Sequence, residues 1–508
     1  MASKPLVLII RDGWGVAPDG PGNAVARAKT PFHDRWKKEF PPSLLQASGE
    51  AIGLPAGFQG NSEVGHLNIG TGRPVKQELT FIHETIANGS FFKNKKLREA
   101  LDVCRKEKKT LHLIGILQDA GVHAHEEHLF ALLKAARDHV IKRTYLHVLA
   151  DGRDSPSRSV KEFIERVRKQ FPDVRFGSIT GRHLLDRAGN WHLTEALVGT
   201  FVRGTAPHVA TIEEAVDRAY GKLRPDGAPM SDEFIPSHRI GDFQKIEEGD
   251  TVVFFNFRQD RMIQLTRAFA ERRYGAPAVR FLTLTRPYDE FQDFLFAPHD
   301  EGEGLAHGLG ETLSHAHKRQ LRMADGQKFR HVTSFLNGKR IVPFPGEDRL
   351  EIKIGGQELY RTKPGMGAEE IAETAPAIIK NCVYDFMVVN FANADMIGHV
   401  GEFALAVRAV EIVDACVGTL VEATLAAGGE ALVTADHGNI EQMYEDDGKT
   451  VRVAHTLNPV ECYYVSRHPQ GTLAQHGILP SLAPTVLDLL GIPLPVQMTA
   501  PSLLMRKV

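Results

Sequence analysis

Phe386-Met387-Val388-Val389-Asn390-Phe391, running into Asn393 and Asp395, and Ala431-Leu432-Val433-Thr434, running into Asp436, His437 and Gly438, decide the fold between them. Each apolar run lacks the alternation of a strand with one face in water, so each reads as a strand buried on both faces. Between them, Ala404–Ala427 sets Val407, Val410, Val413, Val417, Leu420, Val421 and Leu425 at helical spacing, and Gly428-Gly429 closes the helix as a C-cap glycine does. Strand, helix, strand in that order is a βαβ unit, which requires a parallel sheet with helices on its faces. Pro5–Ile10 is a third strand of the same kind and leads into Asp12 and Gly13.

The middle of the chain repeats the alternation with a different chemistry. Leu111–Leu117 leads into Asp119 and His123, Tyr145–Leu149 into Asp151, Arg153 and Asp154, Val174–Ile179 into Arg182, and Thr251–Phe255 into Arg258 and Arg261. Amphipathic stretches such as Val160–Gln170 separate them. Strands ending in Asp and His occur before residue 70 and after residue 380, while strands ending mostly in Arg fill the interval. The expected architecture is therefore α/β, with two α/β domains: a mostly parallel-sheet domain built from residues 1–76 and 309–508, and a second domain, 77–308, inserted into it. The crossings fall near Arg73–Gln77 and the glycine-rich stretch 302–310.

Composition narrows the function classes. Lys plus Arg is 61 against 63 Asp plus Glu in 508 residues, a net charge of −2, so the chain is no globally basic nucleic-acid binder. No apolar run reaches the roughly 18 residues of a membrane span. Four cysteines without a C-x-x-C pair exclude a disulfide framework and a thiolate zinc site, and fit the reducing cytoplasm. The unusual count is 23 histidines.

Ligands bind open parallel sheets at the carboxyl ends of the strands, where Asp12, Asp395, Asp436 and His437 all fall. One strand-end Asp ordinarily caps the next helix, but three in one domain fit that reading poorly. His399 lies four residues after Asp395, the spacing that puts two metal ligands on one helical face, and His455 follows in Ala454-His455-Thr456. Carboxylates and imidazoles without thiolate suit Mn²⁺, Mg²⁺ or Zn²⁺. Ser62, in Gly60-Asn61-Ser62-Glu63-Val64-Gly65-His66, opens a helical segment. It serves there either as an N-cap or as a nucleophile at the helix's positive end, activated by a nearby cation. Arg153, Arg182, Arg187, Arg258 and Arg261 stand at or beyond strand ends, where guanidinium forks suit a small polyanion, and Asp154 adds a carboxylate for acid–base work. Gly13-x-Gly15 is not followed by a dinucleotide fingerprint, and no P-loop occurs.

Asp12-Gly13-Trp14-Gly15, Gly60–Gly70 (GNSEVGHLNIG), Asp151–Asp154 (DGRD), Asn256-Phe257-Arg258, Pro343–Arg349 (PFPGEDR), Asn390–His399 (NFANADMIGH), Thr434–Asn439 (TADHGN) and His455-Thr456 together resemble the 2,3-bisphosphoglycerate-independent phosphoglycerate mutases of the alkaline phosphatase superfamily. The resemblance runs nearly end to end. It implies an alkaline-phosphatase-like metal domain with an inserted substrate domain, and interconversion of 3-phosphoglycerate and 2-phosphoglycerate in glycolysis and gluconeogenesis through a phosphoserine. By motif, Asp395, His399 and His455 would hold one Mn²⁺ and Asp12, Ser62, Asp436 and His437 a second, with Mg²⁺, Co²⁺ or Zn²⁺ as substitutes and no requirement for 2,3-bisphosphoglycerate. Asp436 and His437 are neighbours and reach one ion only if the chain has left strand geometry there, as Gly438 allows. Ser62 would accept the phosphoryl group. His123, Arg153, Asp154, Arg182, Arg187, Arg258, Arg261 and Lys328 map onto the substrate residues, with Asp154 as proton carrier. The implied setting is a cytoplasmic monomer acting on a small molecule, with no nucleic-acid or membrane partner.

Three departures from the family pattern bear on this mapping. Gln118-Asp119-Ala120-Gly121 stands where Ser-Asp-Gly-Gly is usual, the segment between Arg182 and Arg187 is one residue short, and Arg330 competes with Lys328. The rival reading is a metal-dependent phosphomonoesterase of the same superfamily, which needs no insert to retain the dephosphorylated alcohol.

Overall fold

A computed structural model describes residues 4–186, 189–224, 227, 229–297, 305–355 and 360–506. The chain forms two compact units, Met1–Gln77 with Asp300–Val508, and Glu78–His299. Leu305 belongs to the first unit rather than to the insert, because it is buried against Leu67 and Val75. Arg73 also donates to the Ala306 carbonyl at 2.8 Å. The second crossing therefore precedes residue 305 and does not extend to 308.

The first unit holds an eight-stranded sheet in the order Glu347–Ile352, Gln320–Asp325, Phe386–Phe391, Leu6–Arg11, Glu430–Thr434, Val460–Val465, Ser43–Gln46, His476–Ile478. The first five run parallel, and Val460–Val465 is antiparallel to both its neighbours. Every residue of Leu6–Arg11 and Phe386–Phe391 is buried, as the unbroken apolar runs require. Register fixes the site: Ile10 lies beside Asn390 on one side and Thr434 on the other, so three strands end at one level and release Asp12, Asp395 and Asp436 at a common edge. The helix Phe403–Ala426 lies between two of these strands in sequence and buries Val410, Val413, Val417, Leu420 and Val421.

The second unit holds eight strands in the order Phe294–Phe296, Arg280–Thr285, Thr251–Phe254, Leu111–Leu117, Thr144–Ala150, Arg175–Gly181, His238–Ile240, His208–Val209. Among these pairs, Arg175–Gly181 with His238–Ile240 is antiparallel and the rest are parallel. Leu117 beside Ala150 and Ala150 beside Gly181 bring the segments carrying His123, Asp151 and Arg182 to one edge. No helix among the described residues is long and apolar enough to cross a membrane.

Much of the histidine excess is interior. Burial pushes His33 down to about 3, helped by Arg11, and pushes His123 and His125 down to about 4; His128 and His147 lie well below the ordinary range for the same reason. In the unfolded chain these imidazoles regain a pKa of about 6.5. A folded pKa below the unfolded one means stability that is complete above about pH 6.5 and is lost as pH falls toward the folded values. Each such group contributes about 1.4 kcal/mol per pH unit once the unfolded imidazole is fully protonated. Asp232 and Asp414, which burial pushes up, soften the loss by taking up protons in the folded state. Denaturant midpoints should thus drop steeply between pH 6.5 and 5. Equal midpoints at pH 7.5 and 5.5 would contradict the assignment of these histidines as neutral in the folded state.

Candidate active site

Ser62 is the first residue of the helix Ser62–Thr71, not its cap. Asn61, in extended backbone, takes that role: its Oδ1 accepts from Val64 N at 3.0 Å. The serine hydroxyl is thereby released from capping and points at charge. It donates to Asp12 Oδ1 at 3.1 Å, lies 3.0 Å from His437 Nε2, and accepts from Lys328 Nζ at 2.6 Å. Two glycines let this helix approach its neighbours. A Cβ on Gly65 would sit 2.8 Å from the Asp436 carbonyl oxygen, and one on Gly70 would sit 1.8 Å from that of Leu336.

Around the hydroxyl stand two groups of ligand-type side chains. Asp395, His399 and His455 each place one ligand atom within 4.8 Å of the others, and so do Asp12, Asp436 and His437. The short helix Asn393–Gly398 carries Asp395, and His399 follows one turn on, its Nε2 3.3 Å from Asp395 Oδ1. Asp436 and His437 follow the strand Glu430–Thr434 after it has ended, so strand alternation no longer separates them. Asp12, Asp395, Asp436 and His437 are almost wholly buried.

The donor chemistry fits divalent metal. His399 Nδ1 meets the Val453 carbonyl at 2.7 Å and His455 Nδ1 meets that of Gly60 at 2.8 Å, so each ring is held by a backbone acceptor through Nδ1. Their Nε2 atoms then face each other at 3.1 Å with Asp395 Oδ1 3.1 Å from His455, an arrangement of acceptors that calls for a cation. The protein's own groups show the same demand for positive charge. Burial works against the His437 cation, yet Asp436 and Asp12 hold its pKa up to about 9. Burial would likewise raise Asp12 and Asp395, and the Lys328 ammonium pulls both far below the carboxylate range.

Lys328 separates from the arginines with which the sequence grouped it. Its Nζ donates to Asp12 Oδ1 at 2.6 Å and Asp395 Oδ2 at 2.7 Å, besides Ser62, within the first unit. Asp325 holds it there: Oδ1 accepts from the backbone N–H groups of Gln327 at 2.9 Å and Lys328 at 3.3 Å, while Oδ2 accepts from Tyr360. Arg330, the competing residue, is exposed and lies over the Phe335 ring at 5.7 Å.

Glu441 binds the motif loops together. Its buried carboxylate accepts from Gly15 N at 3.0 Å, Asn439 N at 2.8 Å and Asn458 Nδ2 at 2.9 Å, and from the Thr456 hydroxyl. A Cβ on Gly15 would stand 2.4 Å from Glu441 Cδ, and one on Gly13, whose φ is +77°, would stand 2.7 Å from Asp395 Cα. The Gly13-x-Gly15 pair therefore serves close packing, not a nucleotide. Glu441→Ala leaves several buried donors without an acceptor at about 1–3 kcal/mol each. It should lower unfolding stability by about 3 kcal/mol or more and weaken metal binding; an unchanged melting temperature would contradict this role.

In the second unit, Arg182 is buried and its Nη1 contacts both Asp151 Oδ1 and Asp154 Oδ2. His123 Nε2 lies 3.7 Å from Asp154 Oδ2. Arg258 Nε is 3.4 Å from Asp260 Oδ1, and Arg261 Nη1 donates to the Leu185 carbonyl at 2.9 Å. Arg153, about half exposed, reaches Glu233 at 3.5 Å. Arg187 lies outside the described residues. The strand ends thus gather His123, Asp154, Arg182, Arg258 and Arg261 in one unit, and Ser62 with Lys328 and the Asp/His groups in the other.

Sequence reasoning missed His66, Asn390, Glu441, Asp325 and Asp260. His66 Nδ1 is 3.2 Å from Asp436 Oδ2, and Asn390 Nδ2 donates to Asp12 Oδ2 at 2.8 Å while lying 3.0 Å from His66 Nε2. His66, Asn390 and Asp260 fall inside or beside quoted motifs; their signal was a polar residue amid an apolar run or between two arginines. Glu441 and Asp325 act through backbone contacts that no spacing rule announces.

A family model described as the metalloenzyme superfamily matches residues 4–494. The chain is 42% identical over 523 residues to 2,3-bisphosphoglycerate-independent phosphoglycerate mutase 1 of Methanosarcina acetivorans, covering 100% of this chain and 99% of that one. It is 40% identical over 512 residues to the 2,3-bisphosphoglycerate-independent phosphoglycerate mutase of Ectopseudomonas mendocina, covering 98% of each. A crystal structure of Leishmania mexicana phosphoglycerate mutase at low cobalt concentration superposes with a TM-score of 0.83 at 29% identity, covering 99% of this chain and 98% of that one.

Proposed function

The chain belongs to the metalloenzyme superfamily and, within it, to the 2,3-bisphosphoglycerate-independent phosphoglycerate mutases, and from that premise we propose that it interconverts 3- and 2-phosphoglycerate through a phosphoserine on Ser62. The observation that carries the assignment of Ser62 is its hydroxyl: off capping duty at a helix N-terminus, 2.6 Å from an ammonium and within reach of Asp12 and His437. Asp395, His399 and His455 would hold one divalent ion, and Asp12, Ser62, Asp436 and His437 another. We read both as Mn²⁺, with Co²⁺, Mg²⁺ or Zn²⁺ able to substitute. Bound metal supplies Lewis-acid charge for phosphate oxygens and lowers the pKa of the serine hydroxyl.

The protein's own groups then divide the work. Ser62 Oγ, its proton already given up to water, forms its bond to phosphorus as the bond from the substrate's 3-oxygen breaks. Lys328 offsets the negative charge that develops at Ser62. Arg153, Arg182, Arg187, Arg258 and Arg261, with His123 and Asp154, retain glycerate by paired hydrogen bonds to its carboxylate and hydroxyls. Asp154 takes the proton of the 2-hydroxyl and delivers it to the 3-oxygen, and the 2-oxygen takes the phosphoryl group back as the Ser62 Oγ–P bond breaks, regenerating the serine oxyanion. Retention of glycerate by the insert is what a phosphomonoesterase would not need. Its four cysteines being free fits a cytoplasmic setting, and we take the working form to be a monomer.

Chelation tests the metal assignment. Protein stripped with a chelator should lose conversion, bind two Mn²⁺ per chain on reconstitution, and regain conversion without added 2,3-bisphosphoglycerate. Full turnover of metal-free protein, or free phosphate as the main product, would overturn the reading.

A further inference from the structure

Two buried side chains beside the proposed ion sites take no part in the chemistry above. Asn390 interrupts the apolar strand Phe386–Phe391 and is fully buried. Its Oδ1 meets no donor, so the amide is placed there for its N–H groups. Nδ2 donates to Asp12 Oδ2 at 2.8 Å and lies 3.0 Å from His66 Nε2. His66, also fully buried, stands one helical turn after Ser62, and its Nδ1 lies 2.9 Å from the Ser62 carbonyl oxygen. A carbonyl only accepts, so Nδ1 carries the hydrogen and Nε2 offers its lone pair to Asn390. A reversed amide would set its oxygen against the Asp12 carboxylate. The direction of each hydrogen bond is therefore fixed: Asn390 donates to Asp12 and His66, and His66 donates to Ser62.

This clamp sorts the carboxylate oxygens. With Oδ2 of Asp12 taken by Asn390, Oδ1 is the oxygen that faces Ser62 Oγ at 3.1 Å and His437 Nε2 at 3.5 Å. In Asp436, Oδ1 accepts from Gly13 N at 3.3 Å. Its Oδ2, buried without a hydrogen-bond donor, lies 3.2 Å from His66 Nδ1 and 3.6 Å from His437 Nε2. Asp12, Ser62 and Asp436, three ligands of one proposed ion, thus all adjoin the His66–Asn390 pair. Among the described residues neither side chain hydrogen-bonds to Asp395, His399 or His455. Those three are oriented instead by the Val453 and Gly60 carbonyls and by Asn439 Nδ2.

We infer that His66 and Asn390 are positioning residues for the Ser62-side ion alone, so that the two ions are held by separable sets of supporting contacts. This rests on the two-ion reading above. Groups that orient metal ligands in this way are worth about 10–100-fold in metal affinity.

The test strips full-length protein with a chelator and titrates it with Mn²⁺ alone, reading free ion by electron paramagnetic resonance. Wild type should take up two Mn²⁺ per chain. Asn390→Ala and His66→Phe should each weaken one of the two by about 10–100-fold and leave the other within about threefold. His399→Ala tells the ions apart. It should weaken the other ion, so Asn390→Ala/His399→Ala should bind neither tightly. Unchanged binding in Asn390→Ala, equal weakening of both ions, or one tight Mn²⁺ retained by the double variant would each overturn the assignment. Should Asn390→Ala fail to fold, His66→Phe decides alone and in combination with His399→Ala. Its ring keeps the packing against His331, whose centroid is 5.5 Å away. Wild-type protein that binds fewer than two Mn²⁺ defeats the two-ion reading instead, so the two failures are distinct.

Discussion

Ser62→Ala is expected to abolish conversion of 3- to 2-phosphoglycerate, by about 10⁴-fold or more, the scale on which losing a nucleophile acts. Any phosphatase side activity should vanish with it, since both would pass through the same phosphoserine. The fold should survive. Asn61, not Ser62, caps the helix, and Lys328 keeps two carboxylates as acceptors when the hydroxyl is gone. Loss of activity with an unchanged melting curve separates a chemical role from a structural one. A variant turning over near the wild-type rate would remove Ser62 from the mechanism.

Arg182→Ala should be the most damaging single change in the insert, because it removes both activity and stability. The guanidinium is buried and neutralises Asp151 and Asp154 together. Deleting one partner of a buried ion pair strands the others at about 3–5 kcal/mol. Burial and the neighbouring Asp154 already push Asp151 up, with Arg182 opposing them, so without the arginine its carboxyl rises further. A folded pKa above the unfolded one costs stability at high pH and returns it as the carboxyl protonates. The deficit relative to wild type should therefore shrink between pH 7.5 and pH 5. Arg258→Ala, at a partly exposed side chain, should cost activity with far less stability. A pH-independent deficit for Arg182→Ala would contradict this electrostatic account.

The sheet and its chemistry were readable because strands buried on both faces are written as unbroken apolar runs, and because parallel strands in register deliver the residues at their carboxyl ends to one edge. Phe386–Phe391 and Leu111–Leu117 emerge with the bounds read from the sequence. Asp12, Asp395 and Asp436 were visible for the same reason. What the sequence could not display were contacts between segments far apart in it. Ser62 reads as an N-cap until Asn61 is seen doing that work. Lys328 reads as a companion of the arginines until its ammonium is found between Asp12 and Asp395. Leu305 sits beside a glycine-rich stretch that suggests a linker, and only its burial against Leu67 and Val75 assigns it to the first unit. Asp260 was hidden by its neighbours, since a carboxylate between two arginines looks like surface charge balance.

The central claim is that the phosphoryl group passes through Ser62 and never reaches water. Metal-loaded protein, given 3-phosphoglycerate with a radiolabelled phosphoryl group and no 2,3-bisphosphoglycerate, should yield on rapid acid quench a labelled protein whose label maps to the peptide bearing Ser62. On a chase with unlabelled substrate, that label should leave the protein as 2- and 3-phosphoglycerate. Absence of label at Ser62 during turnover, or its departure as inorganic phosphate, would contradict the account.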